Sequence, residues 1–199
     1  MILTARPGEA YVDLVGPRSA PAASTALLQA VTPAELFDKP VQSTSAAYGA
    51  LAGLWLWHDG LHECHSIVQK EPDELPPLSG SASRLSVGLT QSPVLDRDSK
   101  HLREMTETFA FWHAIMHRRE GDFGNSKYWY AHCRSHPLLA SVAANAREVI
   151  ARAPADKALL RLSMNEWNGA AFVDFVQSVH ESPSSERYPV AVALQQMEW

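Results

Sequence analysis

The first long hydrophobic segment of the chain spans residues 43–69 and repeats with a helical period. Its apolar positions Ala47, Leu51 and Leu54 are spaced by four and three, which places their side chains on one face of a helix. The glycines inside the segment each lower helix propensity by about 1 kcal/mol, which a closely approaching neighbour helix would explain. The pattern therefore predicts one long helix with a buried apolar face.

A second segment has the same period and predicts another long helix. Asp96 is a helix-capping residue, and the segment behind it runs to about Arg119. Leu102, Met105 and Phe109 mark its inward face, because they too are spaced by three and four. Two helices of this length, each with one apolar face, are typical of a helical bundle.

Shorter helices are predicted from their start signals. These signals are N-cap residues, prolines at the first helical position and capping boxes. In chain order they predict a helix from Thr32 to before Pro40, one over 126–135 behind the cap Asn125, one from Pro137 to about Arg152, one from the box at 163–166 to His180, and one over 190–199. We find no convincing strand pattern and no internal repeat.

Two segments lack any period. Residues 1–23 are rich in Pro, Gly and Ala, and they predict an extended N-terminal arm that is packed on the surface or partly disordered. Residues 70–96 hold four prolines, two glycines and five serines, and they predict a long irregular loop of the kind that forms a functional lid or stays disordered. The expected fold is all-α: a single-domain helical bundle over residues 1–199 with this one long loop.

Composition narrows the classes of function. The chain is 46% hydrophobic and 20% charged, which is ordinary for a globular protein, and its formal net charge is −5. The only basic cluster is Arg118-Arg119, which argues against nucleic acid as a partner. The longest apolar stretch, 46–57, is about half a membrane span. Cys64 and Cys133 are too few for a disulfide framework. We therefore expect a soluble, cytoplasmic protein that binds neither nucleic acid nor membrane.

Histidine is the unusual residue of this chain, with seven of nine histidines in two short segments. The apolar face of the first long predicted helix continues into His58, His62 and His65, and that of the second continues into His113 and His117. Neighbours one helical turn apart lie about 5–6 Å apart at Cβ, which lets two imidazoles reach one ion. We expect these five histidines to supply a divalent metal site. Zinc is favoured because the group is rich in imidazole and poor in carboxylate.

The alternative is a set of hydrogen-bonded core histidines without a metal. One pair of histidines on a helix arises often by chance, but two pairs on core faces are harder to satisfy, since each unsatisfied buried polar atom costs about 1–3 kcal/mol. We interpret His132, Cys133 and His136 as surface and helix-terminal residues rather than a third cluster. Cys64 is interpreted as a packing residue, with a thiolate ligand as the alternative.

Two carboxylates beside these histidines are candidates for proton transfer. Glu120 follows the second histidine pair by one turn and would act as a fourth ligand or a general base. Its alternative role is a plain ion pair with Arg118, Arg119 or Lys127. Glu63 flanks the first group at its edge. Four tryptophans near the histidines are core residues or the walls of an aromatic pocket: Trp55, Trp57, Trp112 and Trp129.

The run WHAIMHRREGDFGNSKYW at residues 112–129 is distinctive. With LWHD at 56–59, His65, AFVD at 171–174 and QMEW at 196–199, it resembles a family of helical proteins from fungi and bacteria, over most of residues 50–199. Within or near that family it is similar to the haemocyanin-like zinc cyclopenases of fungal quinolone-alkaloid pathways. The chain departs from the family pattern at Gly60 and at His62, where an acid is expected.

The resemblance implies a zinc-dependent ring contraction in alkaloid biosynthesis, in which a benzodiazepinedione epoxide (cyclopenin) becomes a hydroxyquinolone (viridicatin) with loss of methyl isocyanate. With the residues it predicts a lyase or isomerase acting on a small aromatic carbonyl compound. Zinc on a subset of the five histidines would polarise the carbonyl, Glu120 or Glu63 would shuttle a proton, and the 70–96 loop would cover the pocket. A metal-dependent hydrolase and a non-enzymatic helical interaction module stay open, as does a homodimer through the glycines of the first long helix.

Overall fold

The computed structural model describes residues 12–16, 20–41, 43–71, 74–78, 100–133, 136–162 and 165–198, with the backbone alone at residues 100–102. These residues form eight α-helices, two 3-10 helices and no strand. The α-helices are α1 (Ala22–Gln29), α2 (Thr44–Trp57), α3 (Leu61–Val68), α4 (Lys100–Glu120), α5 (Phe123–Tyr130), α6 (Leu138–Arg152), α7 (Gly169–Val179) and α8 (Arg187–Met197); the 3-10 helices are Pro33–Leu36 and Leu159–Arg161. The prediction of an all-α fold is confirmed.

Helix α4 is the central element of the bundle. It packs against α2, α3 and α5, while α5 also contacts α7, and α8 contacts α6 and α7. From Phe109 to Arg119 every residue is buried except the half-buried Trp112. Phe111 and Ile115 are completely removed from solvent. The last three turns of α4 are therefore enclosed on nearly every side, which brings its polar residues in this stretch into the core.

The prediction of one continuous helix over residues 43–69 is wrong. Helices α2 and α3 are separated by a turn at residues 58–60. Asp59 has φ 63°, a left-handed conformation that a continuous right-handed helix does not contain. Gly60 is packed so closely that a Cβ there would lie 2.6 Å from the Trp55 ring. The turn resets the helical phase, so the histidine before it and those after it do not share one face.

The start of α5 also differs from the prediction. Gly121 follows α4 with φ 82°, and Asp122 then caps the new helix by accepting the Asn125 backbone N–H at 3.1 Å. The predicted helix over 126–135 with Asn125 as its cap is wrong, because α5 starts and ends earlier. The short linker of Gly121 and Asp122 keeps the start of α5 against the end of α4.

Other predicted helix ends are partly correct. Helix α6 follows Pro137 as predicted, and the Glu35 carboxylate accepts the Thr32 backbone N–H at 2.8 Å in the predicted capping box. Helix α7 starts behind Asn168, whose side chain accepts the Ala171 N–H at 3.0 Å, so a start at 163–166 is wrong. Helix α8 begins ahead of the predicted 190–199.

The described part of the predicted N-terminal arm packs on the bundle and reaches the core at one residue. Leu14 is fully buried, and the Gly16 N–H donates to the Arg119 carbonyl at 3.0 Å. Helix α1, which begins at residue 22, was not predicted. The cap at Asp96 and most of the 70–96 loop lie outside the described residues. Within the described residues, no helix combines the length and the apolar character that crossing a membrane requires.

Candidate metal centre

Three histidines come together where α3 meets the end of α4. One nitrogen from each of His65, His113 and His117 lies within 4.8 Å of the others. The ring centroids of His65 and His113 are 4.9 Å apart, and those of His65 and His117 are 5.5 Å apart. His113 and His117 are buried, whereas His65 is half-buried. We call this group the three-histidine cluster. It can hold a metal ion, and it is reachable from the His65 side.

Helix α4 supplies two of the three imidazoles because His113 and His117 are one turn apart. Their rings stack with centroids 4.9 Å apart and planes at 16°. In a tetrahedral zinc site, bonds of about 2.0–2.1 Å put the ligand nitrogens about 3.3 Å apart. The three nitrogens of the cluster lie within 4.8 Å of one another, which exceeds that value by at most about 1.5 Å.

Both ring nitrogens of His117 have polar neighbours. Nδ1 lies 3.2 Å from Glu120 Oε2, and Nε2 lies 3.1 Å from Asn125 Nδ2. An ionised carboxylate only accepts hydrogen bonds, so this contact favours a proton on Nδ1 and a lone pair on Nε2. A carboxylate that orients a histidine in this way is the usual outer partner of a histidine ligand to zinc.

His113 is held by an aromatic neighbour. The Trp129 ring stacks on it with centroids 3.9 Å apart and planes at 14°. Its Nδ1 is buried and finds no hydrogen-bond partner in the described part of the chain. Leaving a buried polar atom unsatisfied costs about 1–3 kcal/mol, so Nδ1 needs a partner that a metal ion would provide.

The electrostatics of the cluster favour the neutral form of His113 and His117. Burial lowers the pKa of His113 to about 3, with a further contribution from repulsion by His117 and His65. Burial also lowers the pKa of His117, although the Glu120 carboxylate opposes this shift. Neutral imidazole is the form that binds a metal ion, so protons do not compete for these two nitrogens near neutral pH.

The structure separates the other predicted metal ligands from this group. His58 lies in the turn after α2, where its Nδ1 is 3.1 Å from Ser24 Oγ. His62 is exposed on α3. The break at Asp59 puts His58 and α3 out of phase, and within α3 only His65 joins the group of three. The five-histidine expectation reduces to His65, His113 and His117.

The two predicted proton-transfer residues lie in different surroundings. Glu120 contacts His117. The three cations that the sequence offers as its alternative ion-pair partners each pair with a different carboxylate. These pairs are Arg118 with Glu198, Arg119 with Asp59, and Lys127 with Asp174. Glu63 is on α3, and its Oε2 is buried with no hydrogen-bond partner among the described residues. Neither carboxylate belongs to the group of three.

The remaining candidates do not join the cluster. Burial raises the pKa of the Cys64 thiol well above its usual range, with a smaller contribution from Glu120, so Cys64 is a protonated packing residue. His136 is satisfied at both nitrogens, by Thr108 Oγ1 at 2.9 Å and by the Leu138 N–H at 3.2 Å. His132 Nδ1 is 2.9 Å from a backbone carbonyl. No second group of potential ligands exists among the described residues.

Two residues of α5 contact the cluster, and the sequence predicts neither contact. The sequence pattern favours Asn125 as a helix cap, but its side-chain amide contacts His117. The pattern leaves Trp129 as a core residue or a pocket wall, and its ring covers one face of His113. The spacing carried a signal for both, because Asn125 and Trp129 are one turn apart on one face of α5.

The number of histidines in the cluster can be compared with the two known classes of zinc site. Structural zinc sites use four protein ligands, whereas catalytic sites use three and leave a position for substrate or water. Three histidines meet here, and no fourth ligand lies within the same distance among the described residues. Comparison of the chain with protein-family models, with curated proteins and with solved structures finds no match. The geometry of the three-histidine cluster is therefore the basis for a function.

Proposed function

We propose that this protein is a zinc-dependent enzyme, a lyase or isomerase, that acts on a small carbonyl compound at the three-histidine cluster. The observation that carries the proposal is the meeting of three imidazoles from α3 and α4, two of them buried, without a fourth protein ligand in the described part of the chain. A site of three histidines with an open position suits a Lewis acid that polarises an oxygen ligand.

The donor set favours zinc. Imidazole suits zinc, copper, iron and nickel, while calcium, magnesium and manganese prefer oxygen ligands. The cluster contains nitrogen donors only, and its nearest carboxylate, Glu120, is occupied with His117 Nδ1. A di-iron site in a helical bundle would need several carboxylates as ligands, and the group of three found among the described residues contains none.

The chain's own residues have distinct roles in this proposal. Glu120 keeps the proton on His117 Nδ1, so that Nε2 offers its lone pair to the ion. The Asn125 amide, which donates to that nitrogen in the present structure, would release it and could then donate to the substrate oxygen. Glu120 is also the group placed to exchange a proton with the substrate, since its side chain is 27% exposed. Trp129 shields His113 from water on one face.

The first experiment measures metal binding. The protein is stripped with a chelator and titrated with Co²⁺, whose visible absorption reports tetrahedral coordination, and then with Zn²⁺. We expect one tight site in the wild type. His65→Ala and His117→Ala each remove one metal ligand. Each should lower the affinity for the metal by more than the 10–100-fold that is typical when a residue hydrogen-bonded to a ligand is lost. His62→Ala is the matched control, because His62 is exposed on the same helix as His65 and should leave binding unchanged.

The second experiment measures chemistry. The zinc-loaded protein is incubated with a cyclopenin-type benzodiazepinedione and, separately, with aromatic esters and amides. Ring contraction of the first, lost in His65→Ala and kept in His62→Ala, is the expected result. Hydrolysis of esters or amides with no ring contraction would mean that the protein is a hydrolase and not a lyase. Zinc binding without turnover of any of these compounds would overturn the proposed reaction.

A further inference from the structure

The three-histidine cluster needs an accurate position of one helix against another. His65 is on α3, whereas His113 and His117 are on α4. Metal–ligand distances tolerate about 0.2 Å of variation. Apolar contacts between helices are non-directional and do not by themselves define a position this closely. Something directional near the cluster should therefore fix α3 against α4.

A buried ion pair joins the end of α4 to the turn that precedes α3. The Arg119 guanidinium, two residues after His117 on α4, donates to the Asp59 carboxylate in the turn immediately before α3. Arg119 is 1% exposed and Asp59 is 8% exposed. A hydrogen-bonded pair of opposite charges that is shielded from water is both strong and directional.

The backbone around this pair is built to receive it. Asp59 adopts φ 63°, which costs a non-glycine residue energy and persists only where the surroundings hold it. The guanidinium also donates to the Asp13 carbonyl, and the Arg119 carbonyl accepts the Gly16 N–H at 3.0 Å. Gly16 leaves room for the guanidinium, because a Cβ there would lie 2.2 Å from one of its nitrogens. Arg119 thus fastens the turn and the N-terminal segment to the end of α4.

We propose that the Asp59–Arg119 ion pair is the positioning device of the metal centre: it sets the distance between His65 and the His113–His117 pair. This inference rests on the proposed metal centre. Neither residue binds the metal or the substrate; both act through the placement of α3. The competing explanation is that the apolar face of α3, through Leu61 and Val68, positions His65 without help.

The test compares zinc affinity and the Co²⁺ spectrum of Asp59→Asn with those of the wild type. Asparagine keeps the size of the side chain and tolerates positive φ, but it removes the charge. We expect Zn²⁺ affinity to fall about 10- to 100-fold, as for other outer-shell changes, with a weaker and shifted Co²⁺ band. Arg119→Lys keeps the cation and should lose less affinity than Asp59→Asn.

Glu198→Gln is the matched control. It also converts a buried carboxylate into an amide, and the partner of Glu198 is Arg118, the residue before Arg119 on α4. Glu198 lies at the end of α8, however, and not in the turn that leads into α3. We expect Glu198→Gln to lower stability and to leave zinc affinity within about threefold of the wild type. If Asp59→Asn does not fold, the double variant Asp59→Asn/Arg119→Gln carries the same prediction with both charges removed.

The outcomes separate this inference from the proposed function. A wild-type protein that binds no zinc would refute the metal centre, and the positioning role with it. The other outcome is that the wild type binds zinc, and that Asp59→Asn and the double variant bind it as tightly as Glu198→Gln does. This result would leave the metal centre intact and refute the positioning role alone. Apolar packing of α3 would then be the explanation.

Discussion

Replacing Glu198 by alanine should strongly destabilise the fold, because its carboxylate neutralises the buried Arg118. Glu198 and Arg118 are both buried, and their Oε2 and guanidinium nitrogen are 2.5 Å apart. Glu198 Oε1 also accepts from the Tyr130 hydroxyl and from Trp167 Nε1, the latter at 2.9 Å. Removing one partner of a buried ion pair costs about 3–5 kcal/mol, because the other charge remains in the low-dielectric core.

The structure places Glu198→Ala near the lower end of that range. The Tyr130 hydroxyl accepts from Arg118 at 2.8 Å, and the guanidinium carbon lies 4.6 Å above the Phe172 ring, so both contacts would still stabilise the charge in the variant. We expect a loss of about 3 kcal/mol in the free energy of unfolding, or roughly a hundredfold in the folding equilibrium.

Equilibrium urea unfolding, followed by circular dichroism at neutral pH, measures this loss. Glu148→Ala is the control, since Glu148 forms an exposed pair with Arg152 at 3.6 Å and should change stability by less than about 0.5 kcal/mol. A cost below about 1 kcal/mol for Glu198→Ala, or one equal to that of Glu148→Ala, would refute the reasoning about the buried pair.

Two further predictions concern the core around the cluster. Burial, with repulsion from the other two histidines, lowers the pKa of His113 from 6.5 to about 3. The unfolded chain therefore binds a proton at His113 more tightly than the folded chain does. The metal-free protein should lose stability as the pH falls from 6.5 towards 3. Urea midpoints at pH 7, 6 and 5 should fall less steeply for His113→Gln, and parallel slopes would contradict the shift. Gly169→Ala should cost about 1–3 kcal/mol in the same assay, because its Cβ would lie 2.1 Å from the Tyr130 ring. Gly124 is on an exposed helix surface, and the nearest atom to a Cβ there would be 3.9 Å away. Gly124→Ala should therefore be neutral or stabilising. Equal losses of stability for Gly169→Ala and Gly124→Ala would argue against the close packing of Gly169.

The part of the candidate site that lies within one helix could be predicted from the sequence. His113 and His117 are one turn apart on a helix whose apolar face continues through them, and the structure places both on the buried end of α4. Periodicity is sufficient for this because it is a local property of a regular helix. The all-α class follows from the same local signals.

The choice among the other three histidines could not be predicted from periodicity. It depends on the left-handed residue Asp59, which ends α2 and gives α3 a new phase. The dipeptide Asp59-Gly60 is a turn signal, but it stood inside a segment with a strong helical pattern. Extending the helical period through this turn therefore groups His58 and His62 with His65.

The partners of the buried arginines could not be predicted from the sequence. Arg118 and Arg119 look like a surface cluster, yet one pairs with Glu198 and the other with Asp59, both in the core. These partners are distant along the chain, and burial of both charges depends on how α8 and the α2–α3 turn pack around α4. Local patterns carry no information about such packing.

The zinc content of the purified chain tests the three-histidine cluster most directly. The protein is stripped, incubated with excess Zn²⁺, dialysed and analysed for metal, alongside His113→Ala/His117→Ala and the control His62→Ala. We predict one zinc per chain for the wild type and for His62→Ala, and none for the double variant in its folded state. A folded wild type that retains no zinc, or a double variant that retains as much as the wild type, would contradict the metal centre.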